Sequence, residues 1–183
     1  MVEFVSLTHG GQPVSIEYQW LNREREHTPL LVFLHEGLGS VSMWRDYPQT
    51  LCDAAGCRGL VYSRPGYGRS TPREPEARWQ PDYLHIQSWQ VLPALLDALG
   101  VEAPCWLFGH SDGGSMALLF AARFAERTAG IITLAPHIFV EEITVAGIAA
   151  AREAYLAGGL RQGLARHHAD PDSPFWGWNH AWL

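Results

Sequence analysis

Leu107-Phe108, then Gly109-His110-Ser111-Asp112-Gly113-Gly114, then Ser115-Met116-Ala117-Leu118-Leu119-Phe120 constrain this chain more than any other stretch. An apolar strand breaks into a Gly-x-Ser-x-Gly turn, and the turn opens straight into a helical pattern. A side chain at position 109 or 113 would crowd so tight a turn, and Gly114 lets the helix pack closely. Ser111 is left as the tip, with a helix N-terminus pointing at it, the setting a nucleophile requires. An ordinary strand-to-helix turn would use such a serine only as a helix cap. Two glycines flanking one serine after an apolar run favour the nucleophile.

The surrounding units repeat the same grammar. Residues 30–34, 59–62, 104–108 and 130–135 are apolar runs without alternation, the pattern of strands buried on both faces of a parallel sheet. Helical patterns lie between them. Residues 42–55 carry Trp44, Tyr47, Leu51 and Ala54 at helical spacing and stop at Gly56; residues 83–99 follow Asp82, close at Gly100 and carry Pro93 as a kink; the helix after the turn spans 111–127. This alternation predicts an α/β fold, a doubly wound, mostly parallel sheet with helices on both faces and right-handed crossovers. Ligands then bind outside the carboxyl ends of the strands. Ahead of these units, residues 3–7 and 14–20 alternate around Gly10-Gly11 and predict an antiparallel hairpin with one wet face. Residues 22–29 and 71–81 read as loops. The character changes after Pro136. Residues 1–136 form the α/β core, and 137–183 a helical segment with helices over 138–160 and 160–168, the Asp-Pro-Asp-Ser-Pro of 170–174, and an aromatic tail of no assigned structure.

Composition narrows the chemistry. All 13 basic residues are Arg, so a Schiff-base lysine, a pyridoxal-phosphate anchor and a phosphate-loop lysine are excluded. A net charge of −6 provides no footprint for nucleic acid. No run is long and apolar enough for a bilayer, and the acidic start Met1-Val2-Glu3 is unlike a signal peptide, so the expectation is a cytoplasmic protein without membrane contact. Cys52, Cys57 and Cys105 lack zinc spacing and read as reduced packing residues. His167, His168, Asp170 and Asp172 imitate metal ligands, but adjacent histidines diverge on a helix, which favours a solvated face and no metal.

Taken together, the serine turn, His35-Glu36-Gly37-Leu38-Gly39 after one buried run and Arg64-Pro65-Gly66-Tyr67-Gly68-Arg69-Ser70 after the next resemble the α/β-hydrolases. The resemblance implies that Ser111 attacks an acyl carbonyl and forms a covalent intermediate that water clears. It implies an oxyanion hole made by the backbone N–H of Asp112 and one from the loop after Leu34: Gly37, because Glu36 stands where relatives often carry the glycine of a His-Gly pair, with Leu38 as the fallback. The Asp112 side chain points away and lends only its amide. His35 and His110 orient the loops, and His137 reads as a polar residue lining the pocket. The segment 137–183 resembles the cap of such hydrolases, with Trp176, Trp178 and Trp182 facing the pocket or a core. No cofactor is called for, and the partner is a small molecule: an ester, lactone, thioester or amide.

The family's triad places its acid and base after two later strands, in the order Ser, acid, His. Neither has a counterpart here, so the expectation is the N-terminal part of a longer hydrolase, close to inert by itself, whose open sheet edge is covered by a missing C-terminal segment or by an oligomer. Two rivals remain. A dinucleotide site would need glycine where Ser111 stands. A hydrolase fold without catalysis would serve as a binding or interaction protein.

Overall fold

The computed structural model describes the whole chain, Met1–Leu183. Its strands are β1 (Val2–His9), β2 (Gln12–Leu21), β3 (Leu30–Leu34), β4 (Arg58–Tyr62), β5 (Cys105–His110) and β6 (Thr128–Leu134). They form one six-stranded sheet in the order β1-β2-β4-β3-β5-β6. The predicted hairpin is β1 and β2, antiparallel with His9 opposite Gln12. Its turn residues Gly10 and Gly11 have φ of +58° and +77°, a left-handed pair that side chains resist. β2 joins β4 antiparallel, while β3–β4, β3–β5 and β5–β6 are parallel. The order reverses at β3, so the crevice for a ligand opens beyond the ends of β3 and β5.

β3 shows why the sheet is covered twice. All five of its residues are buried. Leu30, Val32 and Leu34 pack with Leu92, Leu95 and Leu96 of α3 (Leu92–Ala98) and with Met116 and Phe120 of α4 (Asp112–Arg123). Leu31 and Phe33 face the other way, onto Cys52 of α1 (Tyr47–Ala55). An unalternating apolar run is the signature of such a strand.

Several helix boundaries differ from the sequence reading. Residues 42–55 divide into a 3-10 turn, Val41–Trp44, and α1. Arg45, at φ +53°, breaks the helical path, and Pro48 fits only the first turn of the helix that restarts. Residues 83–99 divide into α2 (Tyr83–Ile86), a π turn (Gln87–Val91) and α3; the wider turn lies just ahead of Pro93, which has no N–H to give. α5 (Glu142–Leu156) begins later than expected, with Glu142 in its first turn where the helix dipole favours an acid. α6 spans Gly159–Leu164.

The aromatic tail is a helix, α7 (Asp172–Trp182), which the sequence reading left unassigned. Phe175, Trp178 and Trp182 fall at helical spacing, and Pro174 sits in the first turn, where it is tolerated. α5 and α7 meet through Tyr155 and Phe175, stacked with centroids 3.6 Å apart.

The expected solvated face at 167–172 is corrected as well. His168 is buried, accepts the Gly68 N–H at Nδ1 (2.8 Å) and reaches the Leu38 carbonyl from Nε2 (2.9 Å). Asp172 pairs with Arg161 at 2.7 Å, and His167 bonds Ser42 at 2.9 Å. His167 and His168 thus tie the segment after β6 to the loops at the strand ends, while the Asp172–Arg161 pair joins α6 to α7 and stays half-exposed. The three cysteines are free and buried. No helix is long and apolar enough to cross a membrane.

Candidate functional site

Ser111 stands between β5 and α4 at φ +54°, ψ −119°, a conformation that a residue with a side chain adopts only when its surroundings impose it. The imposition is visible. A Cβ on Gly113 would strike the Leu34 and His35 carbonyls, and one on Gly109 would strike the Gly113–Gly114 backbone. The Ser111 N–H is meanwhile tied to the Leu134 carbonyl of β6 at 2.8 Å. The hydroxyl therefore projects beyond the sheet with little freedom in its backbone.

His137 is the residue that the sequence reading undervalued. It was expected only to line the pocket, with no base for Ser111 in the chain, yet its Nε2 lies 3.1 Å from Ser111 Oγ. Ser115, one helical turn beyond Ser111, brackets it: Ser115 Oγ receives the His137 N–H and faces the His137 carbonyl, each at 2.9 Å. The rings of His137 and Trp182 of α7 meet edge to face, with centroids 4.9 Å apart. No carboxylate hydrogen-bonds the ring. The available signal was position: His137 follows β6 at the same sheet edge as Ser111.

The loop after β3 supplies the facing wall. The Gly37 N–H has no acceptor within the protein, and neither does the N–H of Asp112, the first amide of α4. Leu38, the fallback donor, is occupied, because its N–H bonds Glu36 Oε2 at 3.0 Å. Burial raises the Glu36 carboxyl above the usual carboxylate range. Gly37 has to be glycine, since a side chain there would collide with the Trp178 indole.

Asp112 directs its carboxylate inward. It is 1% exposed, 2.5 Å from the Tyr83 hydroxyl and 3.7 Å from Arg64 Nη1. His35, expected to orient a loop, is buried between the loops after β3 and β4. Burial, with the Arg64 charge beside it, lowers its imidazole well below the usual value, so the ring is neutral. Nε2 accepts the Arg64 N–H at 3.1 Å, which leaves the proton on Nδ1 to donate to the Glu36 carbonyl at 2.8 Å. His110 does not fulfil the same expectation: its side chain makes no hydrogen bond within the protein and is exposed at the rim.

A cavity of about 360 Å³ joins these groups, lined by Gly37, Ser111, Asp112, His137, Trp178 and Trp182. Leu38, Thr144 and Ile148 add to its wall. Trp176 lies elsewhere, against Tyr155 and Phe175. No cluster of three metal-ligating side chains converges here. A hydroxyl, an imidazole within reach of it and two free amides around one partly apolar cavity are the parts required for acyl transfer.

The family model of the alpha/beta hydrolase fold matches residues 29–179. The sn-1-specific diacylglycerol lipase ABHD11 of Mus musculus is 32% identical over 126 residues, covering 66% of this chain and 38% of the lipase. The 2-hydroxy-6-oxo-6-phenylhexa-2,4-dienoate hydrolase of Burkholderia cepacia is 29% identical over 108 residues, covering 58% of this chain and 36% of that enzyme. This chain thus aligns with less than half the length of either relative. Among solved structures, a thermophilic esterase from Thermogutta terrifontis superposes with a TM-score of 0.74 at 15% identity, over 98% of this chain and 72% of its own. A carboxylesterase of Nitrososphaera gargenis gives a TM-score of 0.72 at 21% identity, over 97% and 70%. At those identities the superpositions speak to the fold.

Proposed function

The chain belongs to the α/β-hydrolase fold family, and from that premise we propose that it is a serine-nucleophile hydrolase of a small, partly apolar ester, lactone, thioester or amide. The observation that carries the reading is the contact between Ser111 Oγ and His137 Nε2, 3.1 Å, at the tip of a strained turn facing two unengaged amides. In the proposed reaction Ser111 Oγ attacks the acyl carbon while its proton passes to His137 Nε2. The oxyanion is held by the Gly37 and Asp112 N–H groups, each such donor being worth about 2.7–4 kcal/mol. Collapse of the tetrahedral intermediate expels the leaving group, which takes the proton from His137 and leaves an acyl-serine. Water then attacks the acyl carbon, returning the proton through the same imidazole and releasing the acid.

His137 has no carboxylate to hold its tautomer. Losing that orienter in a complete triad lowers turnover by about 10⁴, so turnover by this chain is correspondingly slow. Residues 137–183 serve as the cap, with Trp178 and Trp182 shaping the acyl site and limiting water.

Fluorophosphonate labelling with intact-mass measurement tests this, alongside hydrolysis of p-nitrophenyl acetate. One adduct is expected on Ser111, absent from Ser111→Ala and slower to form in His137→Gln. A protein that takes no label and releases no nitrophenol would instead be a hydrolase fold used for binding, the reading that the missing carboxylate favours.

A further inference from the structure

Arg64 lies in the glycine-rich turn after β4 and is 1% exposed, a costly position for a charge. Replacing a buried ion pair with apolar groups of similar size is often neutral or stabilising, so stability alone is a weak account of Arg64 and Asp112. The two ends of the guanidinium provide a better one. Nη2 donates to the Glu36 carbonyl at 2.8 Å, and Nη1 faces the Asp112 carboxylate at 3.7 Å. The Glu36 carbonyl also receives His35 Nδ1–H at 2.8 Å and the Gly39 N–H at 3.1 Å.

That carbonyl belongs to the same peptide unit as the Gly37 N–H. The unit is trans, so its N–H points opposite to its C=O. Donors gathered on the carbonyl from the protein interior turn the Gly37 N–H outward, where it has no internal acceptor and Gly37 borders the cavity. A cation on the carbonyl also polarises the peptide and strengthens its N–H as a donor. The other arm of Arg64 secures Asp112, whose own amide faces the same cavity wall.

We propose that Arg64 is the positioning residue of the oxyanion hole, one planar guanidinium orienting the Glu36–Gly37 peptide and Asp112 together. Its plane is fixed by Tyr67, whose ring centroid is 4.3 Å from the guanidinium carbon, and by Nη1 against Met116 Sδ at 3.7 Å. Lysine has no rigid fork with which to reach both groups. The proposal rests on the serine-hydrolase reading for its consequence in catalysis, but the peptide orientation is independent of it.

The test compares the full chain with Arg64→Lys and with the charge-free pair Arg64→Met/Asp112→Asn, which guards against a single variant that fails to fold. Near-UV circular dichroism reports folding, the Glu36 ¹³C′ and Gly37 ¹⁵N–H resonances report the peptide, and p-nitrophenyl acetate reports turnover. In the folded variants the two resonances move and Gly37 amide exchange changes. Where the parent hydrolyses the ester, kcat falls about 10²–10³-fold, the loss of one oxyanion donor, while KM stays within threefold. Unchanged Glu36 and Gly37 resonances overturn the proposal, and so does a fall in thermal stability with kcat retained. A parent whose Ser111 takes no fluorophosphonate overturns the hydrolase reading instead, and the resonances still decide the role of Arg64.

Discussion

Asp112 follows Ser111 directly, yet its carboxylate serves Arg64 and Tyr83 and not an imidazole. Asp112→Ala would leave a buried guanidinium uncompensated, at a cost of about 3–5 kcal/mol; the urea midpoint of unfolding should fall accordingly, and an unchanged midpoint would refute the account. His168 makes a second residue-scale prediction. Burial pushes its imidazole down to about 4 from the ordinary 6.5, and the neutral ring bonds Gly68 and Leu38. The unfolded chain therefore takes up this proton before the folded one as pH falls. The stability contributed is present above pH 6.5 and is lost progressively as pH drops toward 4. Between pH 7 and pH 5 the loss from this group is about 2 kcal/mol. Melting curves should show a decline across that window that is shallower in His168→Gln.

Two glycines separate the elements that tolerate a side chain from those that do not. Gly113 opens α4 against β3, and a Cβ there meets the His35 carbonyl at 2.8 Å with no flexible group to yield. Gly113→Ala should cost about 3 kcal/mol and abolish labelling of Ser111, because the turn must open to admit it. Gly147 lies inside α5, exposed, with nothing within 4 Å of its Cβ. Gly147→Ala should add about 1 kcal/mol through helix propensity. Thermal melts of the two variants moving in the same direction would contradict this reading of both elements. Helix α7 carries a different lesson. Its apolar spacing was present in the sequence, but two prolines and the Trp-rich composition resemble a loop, and only its packing on α5 makes a helix of it.

At the scale of the whole molecule the sheet ends in two edge strands, β1 and β6, and the apolar one is β6. β6 is the last strand of the sheet, with Ile132 and Leu134 41% and 47% exposed, and Ile138, Phe139, Val140 and Ile143 continue the apolar surface. An unpaired apolar edge associates with whatever apolar surface it meets. The chain by itself should show an apparent mass that rises with concentration in light scattering, and Ile132→Lys with Phe139→Glu should suppress the rise. A concentration-independent monomer would show that the edge is protected in another way.

Local pattern made most of this protein legible. Unalternating apolar runs identify strands buried on two faces, and the glycines at 109 and 113 identify a turn that only a bare backbone can make, so the fold class and the turn that carries Ser111, the proposed nucleophile, follow from short segments. Helix breaks near Arg45 and Pro93 were not legible, because packing on the sheet decides how a helix accommodates a proline. The contacts that give the site its character are longer in range. His137 reaches Ser111 because parallel pairing sets His110 beside Leu134, carrying the two chain segments off the sheet edge together. Arg64 meets Glu36 and Asp112 because β4 and β5 flank β3. The sequence by itself determined which chemical groups stand at the strand ends. Their distances and partners were decided by strand order and register, since periodicity within a segment holds no information about which other segment lies beside it.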